Sequence, residues 1–136
     1  MAYIQRETFE ILDADKVIIQ IPFVAKHFWV DDLIALPIHM LNRKGYTTEG
    51  CCSGHLFFGT DIYEKPKDLM SYINFEEGIS LPSLPPGFAW HNNTCIMYKY
   101  NIPYKYDANA IYGLLRENLD VMEQLYKWAL KLPDLS

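Results

Sequence analysis

The sequence predicts an α+β fold, in which a mixed or antiparallel sheet carries a short helix and a long C-terminal helix packed on it. Short segments rich in β-branched and aromatic residues recur along the chain and do not alternate regularly with helical segments. One long amphipathic pattern then occupies the C-terminal part. The 136 residues suit one domain of ordinary size, so we expect residues 1–136 to form a single α+β domain.

Predicted strands are the segments in which β-branched and aromatic residues concentrate between glycine, proline and acidic residues. In chain order they are residues 16–21, 46–52, 56–58, 72–75 and 95–100. Residues 60–68, which contain a Lys-Pro-Lys breaker, and the proline-rich residues 79–87 are predicted to connect strands as loops.

The first helix is predicted between the first two of these strands, with Asp31 or Asp32 as its candidate cap. A proline inside a helix costs about 3 kcal/mol. We therefore expect a loose turn before Pro37 and a regular helix from there, since proline is favoured in the first turn. Lys44 complements the negative end of that helix, and Gly45 can adopt the left-handed conformation that closes it.

The clearest helix is predicted at residues 107–131. Asp107 is a good N-cap, and Pro133 ends the pattern. Apolar residues recur on one face, with Asn118 as a polar interruption. We expect this helix to cover one face of the sheet.

Composition and charge narrow the function classes. The formal net charge is −5, and the scattered lysines and arginines argue against non-specific binding to nucleic acid, although folding can still assemble a local basic patch. No apolar run approaches the ~20 residues that span a bilayer, and the N-terminus lacks the pattern of a secretory signal. The cysteine count is odd and two cysteines are adjacent, which favours free thiols in a reducing cytoplasm.

Residues 49–55, with the sequence EGCCSGH, concentrate a carboxylate, two thiols, a hydroxyl and an imidazole. A cysteine at a strand end with a histidine three residues later predicts a nucleophile and its base, Cys52 and His55. Equally, the two adjacent cysteines can be small packed residues, one in the core and one facing a cleft. Alternation along a strand predicts that Cys51 shares a face with Glu49, and Cys52 with Thr48.

A ligand pocket at the same loop is the leading interpretation. Backbone N–H groups of a Ser-Gly turn can point at an anion, the flanking polar side chains add contacts, and a neighbouring strand supplies more. The predicted ligand-binding residues are Thr48, Glu49, Ser53, Gly54, Tyr72 and Asn74. An ordinary turn is the structural alternative, because Ser-Gly is a common turn dipeptide.

Two further patterns are weaker. Cys52-x2-His55 and His91-x3-Cys95 have the spacing of zinc ligands, but each pair holds one thiol where structural sites usually show tighter pairs, so we assign no metal ligand. Four tyrosines lie two or four residues apart and would tend to share a face in an extended segment: Tyr98, Tyr100, Tyr104 and Tyr106. Such a stripe is a stacking platform or, in better agreement with the acidic charge, a half-buried sheet face or a homodimer surface.

Residues 41–55, LNRKGYTTEGCCSGH, followed by YINF at 72–75, resemble a group of small uncharacterised bacterial proteins with an LN-x-KGY-x-T helix end and a CSGH loop. This resemblance implies a shared domain with a site at the loop. More distantly, residues 46–55 are similar to tRNA wybutosine-synthesising protein 3, a methyltransferase that uses S-adenosylmethionine. That similarity implies that Thr48, Cys52, Ser53 and Gly54 line a site, but His55 stands where that family has arginine.

The sequence thus predicts a small-ligand-binding protein with its pocket at the Cys-Cys-Ser-Gly-His loop. The first alternative is a group-transfer enzyme resembling the tRNA-modifying methyltransferase, and the second is a dimerising interaction module. The residue pattern names neither a substrate nor a cofactor, and it leaves open whether the protein is an enzyme.

Overall fold

The computed structural model describes residues 2–5, 11–13, 27–30, 32–54 and 65–135, with the backbone alone for the first three ranges and for Asp32. In chain order the elements are β1 (Ala2–Gln5), β2 (Ile11–Asp13), β3 (His27–Val30), a 3-10 helix (Asp32–Ile34), α1 (Ala35–Arg43), β4 (Thr48–Cys52), β5 (Met70–Phe75), β6 (Ala89–Trp90), β7 (Cys95–Lys99) and α2 (Ala108–Lys131). This arrangement confirms the predicted α+β class, with a short first helix and a long C-terminal one.

The described strands form two antiparallel sheets. The first has the order β2-β1-β3, and the second has the order β4-β5-β7-β6. Strands predicted at residues 46–52, 72–75 and 95–100 are confirmed as β4, β5 and β7, with ends shifted by one or two residues. The strands predicted at residues 16–21 and 56–58 lie outside the described residues.

Pro37 is accommodated because α1 begins two residues before it. Its missing N–H then falls among the first-turn groups that have no partner within the helix. The expected loose turn is the 3-10 helix that leads into α1. The expected cap by Asp31 or Asp32 is wrong, because the N-cap is Ile34, which makes no side-chain hydrogen bond.

The C-terminal end of α1 is tied to the C-terminal end of α2. The Lys44 ammonium donates to the carbonyls of Ala129 (2.9 Å), Leu130 (2.6 Å) and Leu132 (2.6 Å). We call this set of three hydrogen bonds the lysine clamp. Lys44 was expected to complement the end of its own helix. Its ammonium complements the end of α2 instead, where the last carbonyls lack the usual N–H donor four residues later.

Two further hydrogen bonds join the same two segments of the chain. The Tyr46 hydroxyl donates to the Pro133 carbonyl at 2.7 Å, and the Leu135 N–H donates to the Lys44 carbonyl at 2.7 Å. Gly45 has φ +98°, and a Cβ at that position would lie 2.8 Å from the Leu135 carbonyl oxygen. Glycine is therefore required here both by the backbone conformation and by the close approach of residue 135.

Helix α2 begins as predicted, because the Asp107 carboxylate accepts a hydrogen bond from the Ala110 N–H at 3.0 Å. Its apolar stripe packs on the four-stranded sheet and on α1. The most deeply buried large side chains of the core are Ile34, Ile38, Leu41, Tyr46, Ile73, Phe75, Ile96 and Leu125. In the part of the chain that the structure describes, no helix is long and apolar enough to cross a membrane.

Candidate functional site

β5, one of the two inner strands, defines two faces of the four-stranded sheet. Ser71, Ile73 and Phe75 are buried on the face that packs against the helices, which we call the helix face. Met70, Tyr72 and Asn74 are half-buried on the opposite side, which we call the far face. Residues directly opposite each other on antiparallel strands share a face. The strand register therefore assigns the neighbouring side chains to one face or the other.

A β-bulge in β4 determines how the predicted loop residues are distributed. Thr48 lies opposite Phe75, whereas Gly50 lies opposite Asn74, which leaves Glu49 as the extra residue of the bulge. An extra residue shifts the alternation of every side chain beyond it. Glu49 itself is exposed.

The bulge separates the two adjacent thiols. Cys51 lies opposite Ile73 and packs against the core, while Cys52 lies opposite Tyr72 on the far face. Strict alternation predicted that Thr48 would share a face with Cys52; this is wrong, because Thr48 and Cys51 both lie on the helix face. The physical reason is the bulge, which inserts one residue between them.

The Cys52 sulfur accepts a hydrogen bond from the Gly54 N–H at 3.4 Å. Gly54 has φ +100°, and a Cβ there would lie 3.1 Å from Asn118 Nδ2, so this turn also requires glycine. The hydrogen bond fixes the position of the turn relative to the Cys52 sulfur on the far face.

A buried polar cluster holds the loop from the helix face. The Ser53 carbonyl accepts hydrogen bonds from Ser71 Oγ (2.8 Å) and from Asn118 Nδ2 (2.6 Å). The Tyr100 hydroxyl accepts from Asn118 Nδ2 at 2.8 Å and lies 2.8 Å from Ser71 Oγ. Because the single Ser71 proton goes to Ser53, the Tyr100 hydroxyl is the donor to Ser71. We call these four residues, all of them buried, the polar cluster.

The environment of Tyr100 keeps its hydroxyl neutral. Burial raises the pKa of Tyr100, and this effect exceeds the lowering by the hydrogen bonds that Tyr100 shares with Ser71 and Asn118. A neutral phenol can both donate and accept, as the polar cluster requires. The cluster thus satisfies its own polar groups and fixes the backbone at Ser53.

Thr48, predicted as a ligand-binding residue, contacts α1. Its hydroxyl accepts a hydrogen bond from Asn42 Nδ2 at 2.9 Å, and its N–H donates to Asn42 Oδ1 at 3.2 Å. Asn42 also donates to the Ile38 carbonyl at 2.8 Å. Both Thr48 and Asn42 are buried, so this pair fastens the start of β4 to the last turns of α1.

The remaining predicted site residues divide between the two faces. Cys52, Tyr72 and Asn74 lie on the far face, where the Asn74 amide oxygen accepts a hydrogen bond from the Thr94 hydroxyl at 2.8 Å. Ser53 is buried in the polar cluster. His55 lies outside the described residues, so its pairing with Cys52 stays a prediction.

Sequence reasoning missed the residues that hold the loop in place. Ser71 and Asn42 gave no signal, and Tyr100 was predicted only as part of a tyrosine stripe, because their partners are distant in the chain or fixed by register. Asn118 did give one, as the polar position inside the apolar stripe of α2. Such an interruption indicates a buried polar group that needs a partner, here the Ser53 carbonyl.

The cysteine and histidine patterns do not assemble into a metal site among the described residues. None of the three cysteines takes part in a disulfide. Among the described residues, no group of three or more histidines, cysteines, aspartates and glutamates is placed to hold a metal ion. Of the second proposed zinc pair, His91 is exposed whereas Cys95 is buried.

The four tyrosines do not form one stripe. Tyr98 lies opposite Ser71 on the helix face, and its ring centroid is 4.8 Å from that of the buried Tyr100. β7 ends at Lys99, so Tyr104 and Tyr106 follow in irregular structure, and Tyr104 is 97% exposed. The predicted stacking or dimerising face therefore has no continuous surface in these residues.

A cleft of about 590 Å³ opens beside the far face. Its far-face residues are Met70, Met97 and Lys99, and residues that flank β5, β6 and β7 complete it. The lining residues are Lys65, Pro66, Lys67, Asp68, Leu69, Met70, His91, Met97, Lys99, Tyr100, Asn101 and Ile102. Met97 lies opposite Tyr72, which in turn lies opposite Cys52, so one row of side chains joins the cleft to the thiol.

No model of a protein family matches this chain, and comparisons with curated proteins and with solved structures also return no match.

Proposed function

We propose that the protein binds a small ligand on the far face, between the Cys52 thiol and the cleft beside Met97. The row Cys52, Tyr72, Met97 on three adjacent strands is the observation that carries this proposal. Neighbouring strands lie about 4.8 Å apart, so the row spans about 10 Å, the length of a small organic molecule. A ligand of this length that extended from the cleft across Tyr72 would reach the thiol.

The rigidity of the loop supports this proposal. Binding residues are most effective when the surrounding structure fixes them before the ligand arrives. Here the polar cluster holds the Ser53 backbone through two hydrogen bonds from β5 and α2. Cys52, one residue earlier, then presents its sulfur from a fixed strand end.

The second candidate function is that of a group-transfer enzyme in which Cys52 is the nucleophile. The hydrogen bond from the Gly54 N–H to the sulfur supports it, because a stabilised thiolate is the reactive form of cysteine. The role of His55 as its base remains a prediction. An alkylation rate for Cys52 that rises with a midpoint well below the ordinary thiol pKa of about 8.5 would favour this candidate.

A thermal-shift screen against nucleotides and S-adenosylmethionine tests ligand binding, because a compound that binds only the folded protein raises its unfolding temperature. Each hit is then tested for protection of Cys52 from iodoacetamide, measured by peptide mass spectrometry. We expect protection of Cys52 and loss of the thermal shift in Cys52→Phe, which fills the row.

Cys51→Ala is the matched control, since this neighbouring thiol lies on the helix face. The Cys51→Ala variant should unfold at a lower temperature than the wild type, but the ligand should still raise its unfolding temperature. If a hit stabilises the protein but leaves the alkylation rate of Cys52 unchanged, the ligand binds elsewhere and the proposed function is wrong.

A further inference from the structure

We propose that the cleft binds the phosphate group of the ligand, through Lys67 and Lys99. The inference rests on the proposed function in that it assigns the cleft and Cys52 to one molecule. It adds the chemical class of that molecule: an organic phosphate with an apolar body.

The formal charge of the residues that line the cleft is opposite in sign to the net charge of the whole sequence. The whole sequence has a formal net charge of −5, yet three lysines and one aspartate line the cleft, which is a formal local charge of +2. Charges of one sign collected in a concave surface focus the local potential and attract counter-charged molecules. An anion is therefore the preferred occupant.

Strand pairing fixes where the lysines lie. Lys99 is directly opposite Met70 on the far face, and Lys67 lies three residues before Met70 in the segment that enters β5. The Tyr100 N–H donates to the Leu69 carbonyl at 3.0 Å, so the two segments that carry these lysines are tied together. Both lysines therefore line the same cleft, each on one of these two joined segments.

Lys65 has a different role from the other two. Its ammonium lies 3.4 Å from the Tyr104 carbonyl oxygen and 5.3 Å from the centroid of the Tyr104 ring. By contrast, neither Lys67 nor Lys99 forms a salt bridge with any residue that the structure describes. These two cations are therefore the ones that we assign to the phosphate.

The other walls of the cleft indicate the rest of the ligand. Leu69, Met70, Met97 and Ile102 give it an apolar side, and methionine thioethers make favourable contacts with aromatic rings. A volume of about 590 Å³ lies within the usual range of small-molecule sites. Lysine is a compact point charge suited to a multiply charged phosphate, whereas cationic S-adenosylmethionine would be repelled.

The methionine methyl groups provide the measurement. In protein labelled with ¹³C at these methyls, Met70 and Met97 report on the cleft, and Met122, buried in the core, is an internal control. Assignments come from single Met→Leu variants. Phenyl phosphate should shift the Met70 and Met97 signals in a saturable way and leave Met122 in place; benzoate, inorganic phosphate and S-adenosylmethionine serve as comparison probes.

Paired lysine variants test the assigned cations. The double variant Lys67→Gln/Lys99→Gln should weaken the binding of phenyl phosphate at least about tenfold, because it removes both cations that are assigned to the phosphate. The double variant Lys127→Gln/Lys131→Gln has the same net charge but changes exposed positions of α2, so it should bind as the wild type does. Equal weakening in both double variants, or unmoved Met70 and Met97 signals, would overturn the inference. Binding of benzoate as tight as that of phenyl phosphate would overturn the phosphate class.

The Cys52 alkylation assay separates this inference from the proposed function. If a screening hit protects Cys52 but binds both double variants equally well, the proposed function stands and the phosphate inference fails. If phenyl phosphate binds through the two lysines while no compound protects Cys52, the anion site stands. In that case the assignment of Cys52 to the same ligand fails.

Discussion

Replacing Lys44 by methionine should lower the stability of the protein substantially, because it removes the lysine clamp but keeps most of the side-chain volume. The ammonium makes three hydrogen bonds of 2.6–2.9 Å to carbonyls at the C-terminal end of α2. One hydrogen bond to a charged group contributes about 1.5–3 kcal/mol, and a cation at a helix C-terminus adds about 0.3–1 kcal/mol.

The three hydrogen bonds are not additive, because they share one ammonium and water can satisfy part of the carbonyls after its removal. We therefore expect Lys44→Met to lose about 2–3 kcal/mol of unfolding free energy. For a domain of this size that loss corresponds to a fall in Tm of roughly 6–12 °C. Urea denaturation followed by circular dichroism measures it.

Arg43→Met is the matched control, because Arg43 is the adjacent cation and is exposed. Surface substitutions of this kind usually change stability by less than about 0.5 kcal/mol. A loss below about 0.5 kcal/mol in Lys44→Met would show that solvent replaces the clamp fully. An equal loss in both variants would show that the effect is one of net charge, and either result refutes the reasoning.

Three further substitutions test the loop and the polar cluster. Gly54→Ala should lower the unfolding free energy by about 1–3 kcal/mol in urea denaturation, because it strains a positive φ and brings Cβ to 3.1 Å from Asn118 Nδ2. Gly50→Ala is its control and should cost less than about 1 kcal/mol, because nothing lies within 4 Å of the added Cβ. Asn118→Leu should cost about 2–3 kcal/mol, because the Tyr100 hydroxyl loses its donor and the Ser53 carbonyl loses one of its two donors. Asn109→Leu, on the exposed face of α2, should be nearly neutral. Tyr100 has a raised pKa in the folded state, so its contribution to stability is complete below about pH 10, the usual value for tyrosine, and is lost as the pH rises through the folded pKa. Tyr100→Phe should therefore show a shallower loss of stability above about pH 10 in a series of denaturation curves.

Each of these expectations has an outcome that contradicts it. Equal losses for Gly54→Ala and Gly50→Ala would mean that the turn relaxes around a side chain. A neutral Asn118→Leu would mean that the Ser53 carbonyl and Tyr100 find other donors. An unchanged alkaline profile in Tyr100→Phe would assign the pH dependence to the other buried tyrosines.

The predictable parts of the fold are those whose causes lie close together in the chain. Helix α2 was predicted almost to the residue, because its cap at Asp107, its apolar spacing and its stop at Pro133 are local features. The strand register could not be predicted in the same way. The bulge at Glu49 depends on the partner strand, and it reversed the expected orientation of Thr48 relative to Cys52.

The candidate site shows the same limit. Cys52, Tyr72 and Asn74 were chosen from residue type and strand position, and the structure places all three on the far face. The cleft beside them was not predicted, because Lys67 and Lys99 are separated by 32 positions in the sequence and are brought together by antiparallel pairing. Charge patterns along a chain reveal basic runs but not basic sites built across strands.

The polar cluster has one more consequence, for the way α2 can respond to a ligand. Apolar side chains tolerate small translations along a sheet, but Asn118 meets the Ser53 carbonyl and the Tyr100 hydroxyl at one axial position only. A slide by one helical turn, about 5.4 Å, would take the Asn118 amide away from both acceptors and leave the Ser53 carbonyl and the Tyr100 hydroxyl only their contacts with Ser71. These hydrogen bonds therefore fix the axial position of α2 on the sheet. If a ligand binds on the far face as proposed, we expect the accompanying motions in side chains and connecting segments, because these hydrogen bonds oppose translation of the helix along the sheet.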